Sequence, residues 1–278
     1  MKRTYEFTKK LSIAMLLLAV SALQAAAQQS LPKVVVTTPP DSLKLDTTFY
    51  KKYMNVNGLA VCSSARVPDS CFQVAYITFE AVTRMLSPEV MQSMVSHGAR
   101  VTIMSKDEQT CDVPEHAHLA DDPNTDWNKR ARGLGGTLWL PMNSCAEENI
   151  MHYRNDRYYT EDITIHEFAH TIHNVGIAPV YPEFNKELRA CFEKAKSEGK
   201  WENTYAGSNV GEYWAEGVQD WFDVNIETEK PNGIHNRVNT REELRTYDPG
   251  LYELLSRYFP NTDEHPSRHP YQNRYVQE

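Results

Sequence analysis

The chain has 278 residues, 29 Lys and Arg against 37 Asp and Glu, a formal charge of −8 and 41% hydrophobic residues. So acidic a protein is a poor partner for nucleic acid, and the charge is of the kind that serves solubility. No internal repeat or low-complexity tract appears, so the length suits a single domain with a sizeable core.

Lys2, Arg3, Lys9 and Lys10 precede an apolar run from Leu11 to Leu23 and then Ala25-Ala26-Ala27. This is the pattern of a signal peptide over residues 1–27, cut before Gln28, and it places the mature chain in the periplasm or outside the cell. The run is too short for a comfortable membrane span, and no other stretch approaches that length. Removing the leader, which also holds Glu6, takes the formal charge from −8 to −11. Residues 28–48 are proline-containing and weakly patterned, a flexible lead-in to a domain over 49–278 with no large inhibitory pro-segment before it.

Helical periodicity runs from Asp69 to Met85, and a second helix opens at Ser87-Pro88-Glu89 with serine as the cap and proline in the first turn. Arg100 to Met104 alternates and is β-branched, the pattern of a strand. The segment from Ser105 to Gly136 is polar and turn-rich. Gly133, Gly135 and Gly136 lack the spacing and the lysine of a phosphate-binding loop, so they read as a flexible turn before a strand at Thr137 to Pro141. Thr137 to Leu140 is then an edge on which an extended peptide could pair. Five cysteines follow the leader: Cys62, Cys71, Cys111, Cys145 and Cys191. None looks catalytic. Export permits disulfides, and the expected pairs are Cys62 with Cys71 and Cys111 with Cys145, leaving Cys191 in a helix.

His166-Glu167-Phe168-Ala169-His170 carries the most chemistry. Two histidines four apart lie on one helix face and can reach a single ion, with the glutamate beside the site of an attacking water. Glu161 and Asp162 suit the helix N-terminus, while Ile163, Ile165, Phe168, Ala169 and Ile172 make the helix apolar enough to be buried. Buried imidazoles need partners, and zinc is the commonest for this spacing. Glu183 to Lys196 reads as an amphipathic helix and Val210 to Phe222 as another. Thr240-Arg241-Glu242-Glu243 is a capping box, and Asp248-Pro249 opens a last helix to about Phe259. The layout is α+β, with a small sheet and a helix-rich C-terminal half.

A catalytic zinc takes three protein ligands, so one more donor is required. His173 and Gly176 stand where the metzincin pattern needs glycine and histidine, which excludes that pattern and leaves His173 as a residue that could orient a ligand. Glu212, Glu216 and Asp220 form an acidic stripe at i, i+4 and i+8, costly unless something cationic neutralises it. One of these glutamates is the expected ligand and its neighbour the group that orients a histidine.

The segment from Tyr205 to Glu216, some forty residues after His166-Glu167-Phe168-Ala169-His170, resembles the catalytic domain of the anthrax lethal factor family of gluzincin metallopeptidases. That pattern is HEFxH, a tyrosine seven residues before the ligating glutamate, and a second glutamate four further on. The resemblance covers residues 160–222 and implies a zincin-like fold with one Zn²⁺. It makes His166, His170 and Glu212 the metal ligands, Glu167 the general base, Tyr205 the donor to the transition state and Glu216 an orienting carboxylate. A thermolysin-like register, glutamate followed four residues later by aspartate, would instead make Glu216 the ligand and Asp220 its partner; the tyrosine spacing favours Glu212. A third register would use Glu183. The function implied is a secreted zinc metallopeptidase acting as a monomer on a peptide or protein, without nucleic acid or a membrane span. A zinc hydrolase of a cell-wall or glycan amide and a catalytically weak zincin-fold binding protein are the alternatives.

Overall fold

The computed structural model describes residues 31–263, 265 and 266. The leader and its cut before Gln28 lie outside the described residues. The description below concerns the unit that begins at Lys33.

Strands β1 (Lys52–Val56) and β2 (Leu59–Ser63) form an antiparallel hairpin. Its two-residue turn is Asn57-Gly58, with φ of 52° and 94°. Both residues need positive φ to match the twist of the flanking strands, and Asn-Gly tolerates this better than other pairs. Helices α1 (Asp69–Met85) and α2 (Pro88–Ser96) lead to β3 (Arg100–Met104), all within the expected bounds. Ser87 caps α2, its hydroxyl accepting from the Val90 amide at 3.3 Å. β3 lies parallel to β2 and to β4 (Met142–Ala146), giving a four-stranded sheet in the order β1-β2-β3-β4. Every residue of β2 and β4 is buried, as expected of strands covered on both faces.

Ahead of the sheet, Thr37 and Tyr53 exchange two backbone hydrogen bonds of 2.9 and 2.7 Å. The strand expected at Thr137 to Pro141 is instead a tight turn. The Thr137 amide donates to the Leu140 carbonyl at 2.8 Å, and the Leu140 amide donates to Thr137 Oγ1 at 3.1 Å. Leu138 is 51% exposed and Trp139 98% exposed at its tip, so their β-forming character reflects no burial. The strand begins one residue after Pro141, which lacks the amide a central strand would use. All five cysteines are free thiols, which overturns the expected disulfides. Cys62 and Cys145 point into the packing of β2 and β4, and burial pushes the Cys62 thiol up to about 12.

A short helix α3 (Trp127–Arg130) precedes the turn, and α4 (Glu147–Ile150) follows β4. Next come α5 (Ile163–Thr171), which continues through a π-helical segment at Ile172–Ile177, then α6 (Phe184–Ser197) and α7 (Val210–Trp221). Helices α8 (Arg241–Tyr247) and α9 (Pro249–Ser256) close the fold, capped by the Thr240 and Asp248 side chains. α5 lies between β4 and α7, and the Trp214 indole N–H donates to the Ala169 carbonyl at 2.9 Å. The architecture is α+β, a small sheet joined to a helix-rich C-terminal half. No helix among the described residues is long and apolar enough to cross a membrane.

Candidate metal centre

Two helix starts set the site. The Asp162 carboxylate accepts from the Ile165 amide at 3.0 Å and so caps α5, fixing where its first turn presents His166. Asn209 Oδ1 accepts from the amides of Gly211 and Glu212 at 2.9 and 3.1 Å, capping α7 and placing Glu212 in its first turn. The facing helices bring His166 Nε2 to 3.0 Å and His170 Nε2 to 3.2 Å from the same Glu212 oxygen. All three donor atoms lie within 4.8 Å of one another.

The donor set fits a divalent zinc ion. Two nitrogens and one carboxylate oxygen, each about 2.0–2.1 Å from a tetrahedral centre, would stand about 3.3 Å apart. Burial disfavours the charge of Glu212, yet its contacts with His166 and His170 hold its carboxyl far below the usual range. Burial likewise works against a charged His166, but the carboxylates of Glu212 and Glu216 prevail and hold its pKa well above the ordinary value. These carboxylates therefore favour a cation at the imidazole pair.

The other predicted residues fall into separate settings. Glu216 stands on the far side of the His166 ring, its Oε1 3.3 Å from Nδ1, while Glu212 faces Nε2. Asp220 lies outside the three-donor cluster and is fully buried; its Oδ1 accepts from the Asn225 amide at 2.9 Å. His173 points away from the cluster, its Nε2 2.7 Å from Asn185 Oδ1 and its ring packed on Phe184 and Trp214. Glu183 is 70% exposed in an ion pair with Lys186 and takes no part.

Glu167 and Tyr205 both line a cleft of about 620 Å³ that reaches the three donors. Burial raises the Glu167 carboxyl above its usual range, only partly offset by the two histidines. Tyr205 lies over His166 with ring centroids 6.0 Å apart, and the Arg130 guanidinium donates to its hydroxyl at 3.4 Å. The glycine segment is no flexible turn but a backbone pressed against α5. A β-carbon on Gly135 would stand 2.3 Å from His170 Cβ, and one on Gly133 would stand 2.8 Å from Glu167 Cγ. Gly136 is tied at both ends of its peptide unit, donating to Thr171 Oγ1 at 2.9 Å and accepting from Asn174 at 3.0 Å.

Sequence reasoning missed Arg130 and Gln219. Gln219 Oε1 sits 2.7 Å from His166 Nδ1. Its signal was available, since it follows Glu212 by seven residues and so shares its helix face. The close packing of the glycines left no trace in spacing.

Fold and centre together define an α+β domain with a two-histidine, one-carboxylate cluster at the base of a cleft. No protein-family model matches the chain, and no curated protein does. Among solved structures it is similar to the PRO-PRO endopeptidase PPEP-2 from Paenibacillus alvei, at 15% identity and a TM-score of 0.44, over 67% of this chain and 91% of that one.

Proposed function

We propose that the chain is an exported zinc metallopeptidase of the gluzincin type, hydrolysing peptide bonds with Glu167 as general base. One observation carries this reading: His166 Nε2, His170 Nε2 and a Glu212 oxygen converge from two helices into one donor set. Zinc held there supplies Lewis acidity and lowers the pKa of water at the site toward about 7.

The chain's own residues supply the rest. Glu167 accepts the proton of the attacking water and passes it to the leaving amine. The Tyr205 hydroxyl donates to the oxygen of the attacked carbonyl, a bond that strengthens as negative charge develops and so favours the transition state. Arg130, donating to the same hydroxyl, aligns it and adds positive charge on that side. Trp127, Leu134, Tyr158, Ile163 and Ile234 line the cleft and suit a substrate with apolar side chains. The leader composition supports a periplasmic or extracellular location.

Incubating the zinc-loaded protein with a mixed peptide library, beside Glu167→Gln, tests the proposal. Wild type cleaves and is silenced by a chelator, while Glu167→Gln retains zinc and loses about 10²–10⁴-fold in kcat. Equal turnover by the two proteins would overturn the assignment of Glu167, and a wild type inert toward every peptide would overturn the peptidase.

A further inference from the structure

We propose that Gln219 is a positioning residue that keeps the proton of His166 on Nδ1 and so presents a bare Nε2 to the metal. The inference rests on the metal reading above but not on any particular substrate.

Gln219 is fully buried on α7. Its amide nitrogen faces two acceptors, Glu161 Oε2 and the Asp162 carbonyl, each at 3.3 Å. Flipping the amide would set its oxygen against a carboxylate and a carbonyl and strand both. The orientation is thereby locked, and Oε1 is the atom held 2.7 Å from His166 Nδ1. The other group near Nδ1, Glu216 Oε1 at 3.3 Å, is also an acceptor. A nitrogen between two acceptors must carry the hydrogen. In the neutral imidazole Nε2 then holds only a lone pair, and it faces Glu212 Oε2 at 3.0 Å. Two lone pairs at that distance repel, so a proton or a metal ion must lie between them, and with Nδ1 already carrying its hydrogen this is the position a metal takes.

Glu161 is anchored in turn. His235 Nε2 lies 3.3 Å from its Oε2, and both residues are buried. Burial disfavours a charged His235, but Glu161 prevails and raises its pKa; burial also opposes the charge of Glu161, and the bond to His235 lowers its pKa again. A continuous buried chain thus runs from His235 through Glu161 and Gln219 to His166. Next to its outer end Ile234 lines the cleft, and the Ile234 carbonyl accepts from the Tyr205 amide at 2.7 Å.

The test uses the full chain loaded with zinc, or with cobalt(II) as a paramagnetic substitute. Two readouts are taken: metal affinity by chelator competition, and the exchangeable, hyperfine-shifted N–H resonance of His166. Gln219→Met keeps the volume and removes the acceptor, whereas Gln219→Glu keeps an acceptor at Nδ1 and, protonated on its other oxygen, still donates to Glu161. Positioning requires Gln219→Met to lose about 10–100-fold in zinc affinity together with the protected N–H signal, and Gln219→Glu to retain the signal. A packing role gives the reverse order, because methionine fills a core gap and a buried carboxylate does not. Glu161→Gln, which removes the charge that anchors the Gln219 amide, serves as the second variant if Gln219→Met does not fold, with a loss in the same direction and below that roughly 10–100-fold range. Affinity and signal both unchanged in Gln219→Met would overturn this inference alone. A wild type that takes neither metal at His166 and His170 would overturn the metal reading, and this inference with it.

Discussion

Glu212 and Asp220 stand about two turns apart on one face of α7 and end in opposite states. Glu212 meets two imidazoles, and those contacts outweigh its burial and hold it ionised far below the usual range. Among the described residues Asp220 accepts from the Asn225 amide on one oxygen and finds no hydrogen-bond partner for the other; burial, reinforced by Glu216, pushes its carboxyl well above the ordinary value. The stripe read from spacing is real as geometry, yet its acids meet different surroundings: two imidazoles at one end and a single amide in a dry interior at the other. Position on a helix face sets who can meet; the group across the interface sets the chemistry.

The sharpest way to break this contrast is to neutralise each acid in turn. Glu212→Gln is expected to lower zinc affinity by more than the roughly 10–100-fold that the loss of an outer partner costs, whereas Asp220→Asn leaves it within about twofold of wild type. Chelator competition on the two proteins reads both, and a parallel loss would mean that the stripe acts as a unit. A smaller effect is expected from Gly135→Ala, whose new methyl must displace His170. The overpacking costs about 1–3 kcal/mol in unfolding free energy and weakens zinc binding at the Glu212 end; a denaturation midpoint equal to wild type would show that the loop yields freely.

Smallest is the stability of Asp220→Asn. The native state keeps the Asp220 proton at pH values where the unfolded chain, titrating near about 3.9, has released it. Stability contributed by that group therefore declines as pH rises from about 4 through the raised folded value. Asparagine removes the decline, so Asp220→Asn should melt about 2–4 °C above wild type at pH 7.5 and converge on it near pH 4. A constant offset across that range would show that Asp220 is ionised in the fold.

Local signals with a physical cause survived best in the passage from sequence to structure. The cap at Ser87, the caps at Thr240 and Asp248 and the helix from Asp69 to Met85 stand where composition puts them, because each is decided within a few residues. Helix periodicity pairs His166 with His170, and the resemblance, through its tyrosine spacing, points to Glu212, which the structure brings to the same cluster. Asn57-Gly58 carries in its two residues the turn signal of the hairpin it closes. Thr137 to Pro141 was misread because the aromatic and branched residues that build a strand also populate an exposed tip, while the true strand, Met142–Ala146, has little β-forming character and is set by burial on both faces. Cysteine count and export suggested disulfides, but the thiols lie within separate strands and helices, a placement only tertiary packing decides. The glycines against α5 and the locked amide of Gln219 arise from contacts between distant segments.

The turn at Thr137 to Leu140 leaves one indole bathed in water, while Trp201, Trp214 and Trp221 are sealed in the interior and Trp127 is half-covered at the cleft. Thr137, two residues away, already lines that cleft. Trp139 is therefore a solvent-exposed fluorophore at the lip of the cleft, and a polypeptide settling against it would be expected to shift its emission toward the blue without any added dye.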